Sequence, residues 1–162
     1  MSVVMFELSY KSTLDYYCSQ IAKQLKDSGD PELTALLFDG LDNLVTIDAN
    51  SKSLHPAVLW QSGFMTPSPK DPLYSAKFSV GVKTTNDDAN YVQAKVLSKL
   101  AQHFKAEDRI EIFDYSVAPE DLDNTTPAGV MFISEVMSSP MVFDNQSGLK
   151  LLEVTAMLQR YV

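Results

Sequence analysis

The sequence predicts an α+β fold: one domain over residues 1–162, with a mostly antiparallel or mixed sheet, two main helices packed on one face and a C-terminal β-hairpin. Three observations predict it. Residues 75–115 read as strand, amphipathic helix and strand; residues 12–28 repeat apolar side chains at helical spacing; and residues 129–161 hold two strand-like runs. A chain of 162 residues is long enough to bury a core of its own.

The N-terminal part of the chain predicts the first helix. Residues 1–10 hold a short apolar run, which fits either a strand or an arm that packs on a neighbouring molecule. Residues 12–28 predict a helix capped by Ser12 or Thr13, because apolar side chains recur there every three or four residues. The apolar stripe of this helix comprises Leu14, Tyr17, Cys18, Ile21, Ala22 and Leu25.

Shorter elements and a long loop follow. An Asp-Pro-Glu start signal at residues 30–32 predicts a short helix that ends near Gly40. Residues 43–48 and 57–60 each predict a short strand, and the two fit a hairpin with one another. Residues 61–74 predict a long loop, because three prolines and a glycine disfavour regular structure there.

The clearest local pattern is the strand–helix–strand module at residues 75–115. Its first strand alternates a face predicted to be buried, formed by Ala76, Phe78, Val80 and Val82, with a wetter face formed by Lys77, Ser79, Gly81 and Lys83. Asn86 or Asp87 caps the helix. Its buried stripe comprises Ala89, Val92, Val96, Leu97, Leu100, Ala101 and Phe104, and Gln93 is predicted to lie outside it. Ile110 and Ile112 return the chain to the sheet.

The end of the chain predicts a second polar loop and the closing hairpin. Residues 116–128 form the loop, and residues 129–137 and 149–161 form the two arms of the hairpin. Acidic side chains are concentrated at residues 107–123, where only Arg109 opposes them. They form either a solvated acidic face or a surface that docks on a basic partner.

Composition excludes several classes of function. The net charge is −8, from 13 Lys and Arg against 21 Asp and Glu, and the cations do not cluster, so sequence-specific nucleic-acid binding is not expected. Cys18 is the single cysteine, which precludes an intrachain disulfide and favours a reducing compartment. The N-terminus does not read as a signal peptide, and no run approaches the ~20 apolar residues of a membrane helix. We therefore expect a soluble intracellular protein without membrane contact.

No motif predicts catalysis. The two histidines, His55 and His103, lack a metal-ligand partner four residues on, and one cysteine cannot build a cysteine zinc site. There is no glycine-rich phosphate loop and no nucleophile elbow. We expect no catalytic residues, no metal site and no cofactor, with Cys18 in the core. An enzyme site assembled from distant residues, with either histidine beside a carboxylate, is the alternative.

The order of elements resembles that of the tail terminator (tail completion) proteins of long-tailed bacteriophages and prophages. The resemblance covers residues 10–162 and rests on the N-terminal helix, a strand pair, the proline-rich loop and two further segments. The strand–helix–strand module opens Lys77-Phe-Ser-Val-Gly-Val, and the closing hairpin ends Leu152-Glu-Val-Thr-Ala-Met-Leu-Gln-Arg160.

The resemblance implies a small structural subunit that forms a hexameric ring and is not an enzyme. Such a ring caps the tail tube when the tube reaches its length and offers a surface to the head connector. The implied partners are copies of the same chain, tail-tube proteins and neck or connector proteins. The implied locations are the host cytoplasm during assembly and the tail or neck of the virion.

The residues expected at subunit contacts lie in the two long loops. Apolar side chains in a loop, such as Phe64 and Met65, either fold back onto the core or contact another chain. The full predicted set is Phe64, Met65, Lys70, Glu120, Asp121 and Asp123. The alternative function is a cytosolic protein-binding or adaptor module without catalytic activity, which recognises a partner peptide at a sheet edge and has a groove along the last hairpin.

Overall fold

The chain folds as an α+β protein, as the sequence predicts. The computed structural model describes residues 3–28, 37–40, 57–63, 65–67, 72–85, 91–114, 126–138, 142–144 and 147–161. Its helices there are α1 (Val3–Lys26) and α2 (Tyr91–Ala101). Its strands there are β1 (Leu37–Gly40), β2 (Ala57–Gln61), β3 (Met65–Pro67), β4 (Leu73–Thr85), β5 (Arg109–Phe113), β6 (Pro127–Ser138), β7 (Val142–Asp144) and β8 (Ser147–Arg160).

All the described strands belong to one sheet. Its order is β1-β2-β4-β8-β6-β5, with β3 paired to β4 and β7 paired to β8 beside this path. The β1–β2 pair is parallel, and the other described pairs are antiparallel. Strands β4 and β8 lie at the centre and pair along their whole length, from Leu73 opposite Gln159 to Thr85 opposite Ser147. Residues of these two strands therefore form the middle of both sheet faces.

The hydrophobic core is formed by buried residues of both helices and of the strands, which belong to one cluster. The predicted wetter face of β4 is wrong at Gly81 and Lys83, which are both buried, with the Leu151 side chain against Gly81. The predicted buried face of β4 is confirmed, because its four apolar inward residues are all buried. They share one cluster with the buried residues of both helices. The rings of Phe78 and Tyr17 each meet Phe104 edge-on with centroids 5.7 Å apart, which joins β4 and α1 to the turn after α2. The predicted buried stripe of α2 is confirmed at Val96, Leu97, Leu100 and Phe104.

Helix α1 begins about two turns earlier than the sequence indicates. It starts at Val3, and Phe6 and Tyr10 are fully buried in the core of their own chain, so a strand or an arm that packs on a neighbouring molecule is wrong for residues 3–10. The reason is that they continue the same apolar stripe at four-residue spacing, and burial outweighs the weak helix preference of β-branched residues. The expected cap at Ser12 or Thr13 is also wrong. Thr13 lies inside the helix, where its Oγ1 accepts a hydrogen bond from the backbone N–H of Phe113 at 3.2 Å.

The prediction of a short helix from residue 30 to about Gly40 is wrong for its last residues. Residues 37–40 form β1, which pairs in parallel with β2 from Leu37 opposite Ala57 to Gly40 opposite Trp60; residues 30–36 lie outside the described residues. Pairing with a distant strand overrides local helix propensity here. The sequence also predicts a hairpin between β2 and residues 43–48, which lie outside the described residues as well. This pairing is wrong, because β2 has β1 on one side and β4 on the other.

The long loop predicted at residues 61–74 is shorter in the structure. Strand β2 runs through Gln61, β3 occupies Met65–Pro67, and β4 begins at Leu73. A three-residue strand tolerates its terminal proline because a strand end does not need every N–H for the ladder. The second loop, predicted at residues 116–128, ends by Pro127, where β6 begins; residues 115–125 lie outside the described part of the chain.

Gln93 corrects the predicted surface of α2. Its side chain is 2% exposed, although the sequence places it outside the apolar stripe. The Nε2 group donates hydrogen bonds to the carbonyl oxygens of Val82 at 3.2 Å and Gly148 at 2.8 Å. A polar side chain is stable in the interior when its donors are satisfied, so Gln93 acts as a clamp between α2 and strands β4 and β8.

Candidate interaction surface

The sheet face that points away from the core cluster carries polar side chains in register. Residues directly opposite each other in neighbouring strands point to the same face of a sheet. On this face Lys77, Thr155 and Glu135 form one row across β4, β8 and β6. The next rows are Ser79–Glu153–Met137 and Ser75–Met157–Phe132. Within these three rows the charged residues are Lys77, Glu135 and Glu153, and all are exposed.

A groove of about 470 Å³ crosses these rows. Thr155 lies near its centre: Lys77 and Glu135 flank it across the strands, and Glu153 and Met157 flank it along β8. Because threonine is short and its neighbours are long, the floor of the groove is low and its walls are charged. The whole lining comprises Gln61, Gly63, Thr66, Ser75, Ala76, Lys77, Phe78, Ser79, Glu135, Met137, Glu153, Val154 and Thr155.

A glycine shapes one end of the groove. Gly63 has φ +58°, a left-handed conformation that glycine adopts without strain. A Cβ at this position would collide with the backbone carbonyl oxygen of Lys77, so only glycine allows the segment after β2 to pass this close to β4. The hydroxyl of Tyr10 donates a hydrogen bond to the carbonyl oxygen of Ser62 at 3.0 Å, which ties the same segment to α1.

A β-bulge orients the opposite wall. The register between β6 and β8 shifts from Ile133 opposite Ala156 to Glu135 opposite Thr155, which leaves Ser134 as the extra residue. The hydroxyl of Ser134 donates to the carbonyl oxygen of Thr155 at 3.0 Å and holds the bulge in place. Bulges redirect side chains, and this one lets Ile133 remain in the core while Glu135 faces the groove.

The charges of the groove are not neutralised internally. Among the described residues, Lys77, Glu135 and Glu153 make no ion pair within 4 Å, in contrast to Lys11 and Glu7 on α1, which lie 3.4 Å apart. Lys77 and Glu135 do not meet because strand β8 lies between their strands, which places their backbones two strand intervals of about 4.8 Å apart. The groove therefore offers one cationic and two anionic groups to a ligand.

Apolar side chains continue this face beyond the groove. Met137 is 55% exposed and Met157 is 40% exposed. The guanidinium carbon of Arg109 lies 5.0 Å from the ring centroid of Phe132, so a cation–π contact covers this aromatic side chain. Methionine adapts its shape to different partners, which makes exposed methionines beside a polar groove typical of a contact surface.

The predicted contact residues fall mostly outside the described residues. Met65 is half-buried and packs against the core cluster while β3 pairs with β4. The other five, Phe64, Lys70, Glu120, Asp121 and Asp123, are not among the described residues. The sequence analysis did not single out the groove residues as a site. The sequence pattern that could have indicated the groove is the alternation of polar and apolar residues along β4 and β8. This alternation puts Lys77, Glu153 and Thr155 on the wetter face.

The described residues hold no cluster of three or more His, Cys, Asp or Glu side chains that could bind a metal ion. Cys18 is buried, and burial followed by the nearby charge of Asp15 raises the pKa of its thiol, which disfavours the reactive thiolate. His103 is half-buried, and its carbonyl oxygen accepts a hydrogen bond from the Tyr17 hydroxyl at 3.2 Å. His55 lies outside the described part of the chain.

No helix within the described ranges has the length and apolar character needed to span a membrane.

Comparison with known proteins supports the fold alone. No family model matches the chain, and no curated protein matches it. A solved protein structure is similar to this chain with a TM-score of 0.50 and 9% sequence identity. The match covers 92% of this chain and 97% of the other chain. At this identity the similarity shows that both chains share an α+β fold over nearly their whole length.

Proposed function

We propose that this chain is a structural subunit of a phage tail or neck, which forms a homo-oligomeric ring, caps the tail tube and contacts the head connector. The observation that carries the proposal is the open sheet face, where exposed methionines adjoin a charged groove on a chain that folds as a small α+β unit. The resemblance in element order to tail terminator proteins supplies the biological setting and the expected hexamer.

The proposal includes the finer architecture that the sequence predicts for this chain: two main helices on one face of the sheet and a closing C-terminal hairpin. The shared core cluster of α1, α2 and β4 supports the first feature. The antiparallel pairing of β6 and β7 with β8 supports the second. In this arrangement the helices cover one sheet face and leave the other for neighbours in the assembly.

The mechanism of such a subunit is steric. Head-to-tail contacts between identical subunits close into a ring when the rotation between neighbours allows it. A ring seated on the growing end of the tube occupies the surface that the next tube subunit needs, and polymerisation stops. The net charge of −8 suits a ring through which DNA passes, since a negatively charged lining does not retain phosphates. The partners are other copies of the chain, tail-tube proteins and neck proteins, in the host cytoplasm and then in the virion.

The proposal is tested by measuring mass in solution and on tail tubes. Mass photometry of the purified chain, alone and with isolated tubes, is expected to detect a closed oligomer or added mass at tube ends. The double variant Met137→Asp/Met157→Asp is expected to abolish assembly, because a stable interface buries about 1,200–2,000 Å² in total and does not tolerate unpaired charge. Tyr91→Asp, which changes an exposed residue of α2, is the control. A chain that stays monomeric and adds no mass to tubes would contradict the proposal.

The second candidate function is the cytosolic protein-binding or adaptor module. One observation favours it: the groove crosses β8 and β6, which include the arms of the predicted last hairpin, although it lies on the sheet face and not at the sheet edge where this hypothesis places the peptide. An adaptor is expected to be a monomer or dimer at all concentrations and to leave tail tubes unchanged. The same mass measurements therefore separate the two functions.

A further inference from the structure

The strongest unassigned feature is the arrangement of charge around Thr155. Glu135 and Glu153 lie on neighbouring strands and are diagonal to each other, because Glu135 is opposite Thr155 and Glu153 is opposite Met137. Diagonal neighbours on one sheet face are about 7–8 Å apart, within reach of two long side chains that bind the same group. Lys77 stands on the other side of Thr155.

This geometry favours a cation between the two carboxylates. Two like charges at a diagonal position repel each other, and a shared cation relieves that repulsion. A guanidinium group fits better than an ammonium, because its planar fork donates hydrogen bonds to two carboxylates at once. Met137 lines the same groove and offers an apolar surface for the aliphatic stem of an arginine side chain.

We propose that the groove binds an arginine side chain presented by an extended segment of a protein partner. Lys77 favours a protein segment over a free polyamine. Its positive charge repels a polycation, whereas it attracts a carbonyl or carboxylate group next to the arginine of a protein segment. Hydroxyl and amide groups of Ser75, Ser79, Thr66 and Gln61 line the groove and supply hydrogen bonds to the backbone of the segment. The inference does not depend on ring formation, since a tube protein, a neck protein or an adaptor's ligand can present such a segment.

The test is an NMR titration of the ¹⁵N-labelled full chain with a blocked tripeptide, acetyl-Ala-Arg-Ala-amide. Saturable shifts are expected at the amides of Lys77, Glu135, Glu153 and Thr155. The citrulline tripeptide has nearly the same shape without the charge, and it is expected to bind at least about tenfold more weakly, since hydrogen bonds between charged groups are the stronger ones. Spermidine is expected to bind more weakly than the arginine tripeptide because of Lys77.

Variants on the same sheet face provide the matched comparison. Glu135→Gln/Glu153→Gln is expected to lose the saturable shifts. Glu111→Gln, which removes an exposed carboxylate from β5, is expected to retain them. All three substitutions are at exposed positions, so thermal unfolding of both variants is expected to match that of the parent chain.

Several outcomes would overturn the inference. These are shifts that do not saturate, equal binding of the citrulline tripeptide, tighter binding of spermidine, or equal loss in the Glu111→Gln variant. Shifts at the same amides on concentrating the chain without peptide would assign the groove to a second copy of the chain and would also reject it. Mass photometry reports on assembly separately, so failure of the titration leaves the ring proposal to its own test.

Discussion

The two faces of β4 and β8 differ although they belong to the same strands. Along β4, Phe78 is buried against the helices, whereas its neighbour Lys77 is exposed. Along β8, Val154 is buried and Glu153 is exposed in the same way. The packed face holds an apolar cluster, and the open face holds charges, hydroxyls and methionines. The comparison indicates that one face supplies the packing of the core and that the other exposes its side chains to solvent.

The division has an exception at one end of the open face. The sequence predicts a wetter face at Gly81 and Lys83, yet both are buried, and so is Leu59 opposite Gly81. A Cβ on Gly81 would collide with the side chain of Leu151, so leucine side chains fill this end of the face. The open face is therefore confined to the part around Thr155 and Met157.

The largest expected effect separates the two faces directly. Phe78→Ala removes a buried ring that packs on Phe104, so the free energy of unfolding is expected to fall by about 3–5 kcal/mol. Lys77→Ala, the matched change on the open face, is expected to alter it by less than about 0.5 kcal/mol. Urea titration followed by fluorescence of Trp60, the single tryptophan, measures both. A comparable loss in both variants would show that the open face also carries stability.

The next effect concerns the polar clamp within the packed face. Gln93→Ala leaves the carbonyl oxygens of Val82 and Gly148 without the donor they have in the native chain, and the free energy of unfolding is expected to fall by about 1–3 kcal/mol. Gln102→Ala changes the same residue type at an exposed position and is expected to be neutral. The same urea titration measures both variants. If the two glutamines behaved alike, the hydrogen bonds of Gln93 would not contribute to stability.

The buried hydroxyl of Tyr10 is expected to lower the free energy of unfolding at high pH. Burial, followed by the charges of Cys18 and Glu7, raises the pKa of Tyr10 above its ordinary value. The folded chain therefore holds the Tyr10 proton more tightly than the unfolded chain, in which the pKa of tyrosine is about 10. The stability from this difference is fully present below pH ~10. Above that pH the free energy of unfolding falls by up to about 1.4 kcal/mol per pH unit.

Tyr10→Phe is therefore expected to flatten this alkaline decline. At neutral pH it costs about 0.5–1.5 kcal/mol, because the hydrogen bond to Ser62 is lost. Tyr16→Phe, at an exposed position of α1, is expected to keep the slope of the parent chain. Urea titrations at a series of pH values measure the slope, and an equal slope in the parent and in Tyr10→Phe would rule out a contribution from Tyr10.

The smallest effect is expected on the open face itself. Met157→Thr is expected to change the free energy of unfolding by less than about 0.5 kcal/mol, because the side chain is exposed and threonine suits a strand. The adjacent substitution Leu158→Thr places a hydroxyl in the core and is expected to cost more than about 2 kcal/mol. Thermal and urea unfolding of the pair measure the difference. A large loss for Met157→Thr would mean that this methionine packs within the fold.

The sequence by itself determined which apolar side chains are buried in the best-patterned elements, but not that Gln93, Gly81 and Lys83 are buried beside them. Apolar spacing predicts the stripes of α1 and α2, and alternation predicts the faces of β4, because these periods follow from the local geometry of helix and strand. It also placed Lys77 and Ser79 on the wetter face. It did not predict the groove as a site.

Only the tertiary structure decided the remaining features, because each depends on a residue distant in the chain. The pairing of β1 with β2 replaces a local helix signal, and carbonyl oxygens on β4 and β8 make a buried Gln93 stable. The groove requires the bulge at Ser134 and the approach of Gly63 to Lys77, both of which arise only after three strands are side by side. The period of the sequence pattern indicates which face of its element a residue occupies. Strand order and register then decide which residues of other strands lie beside it on that face.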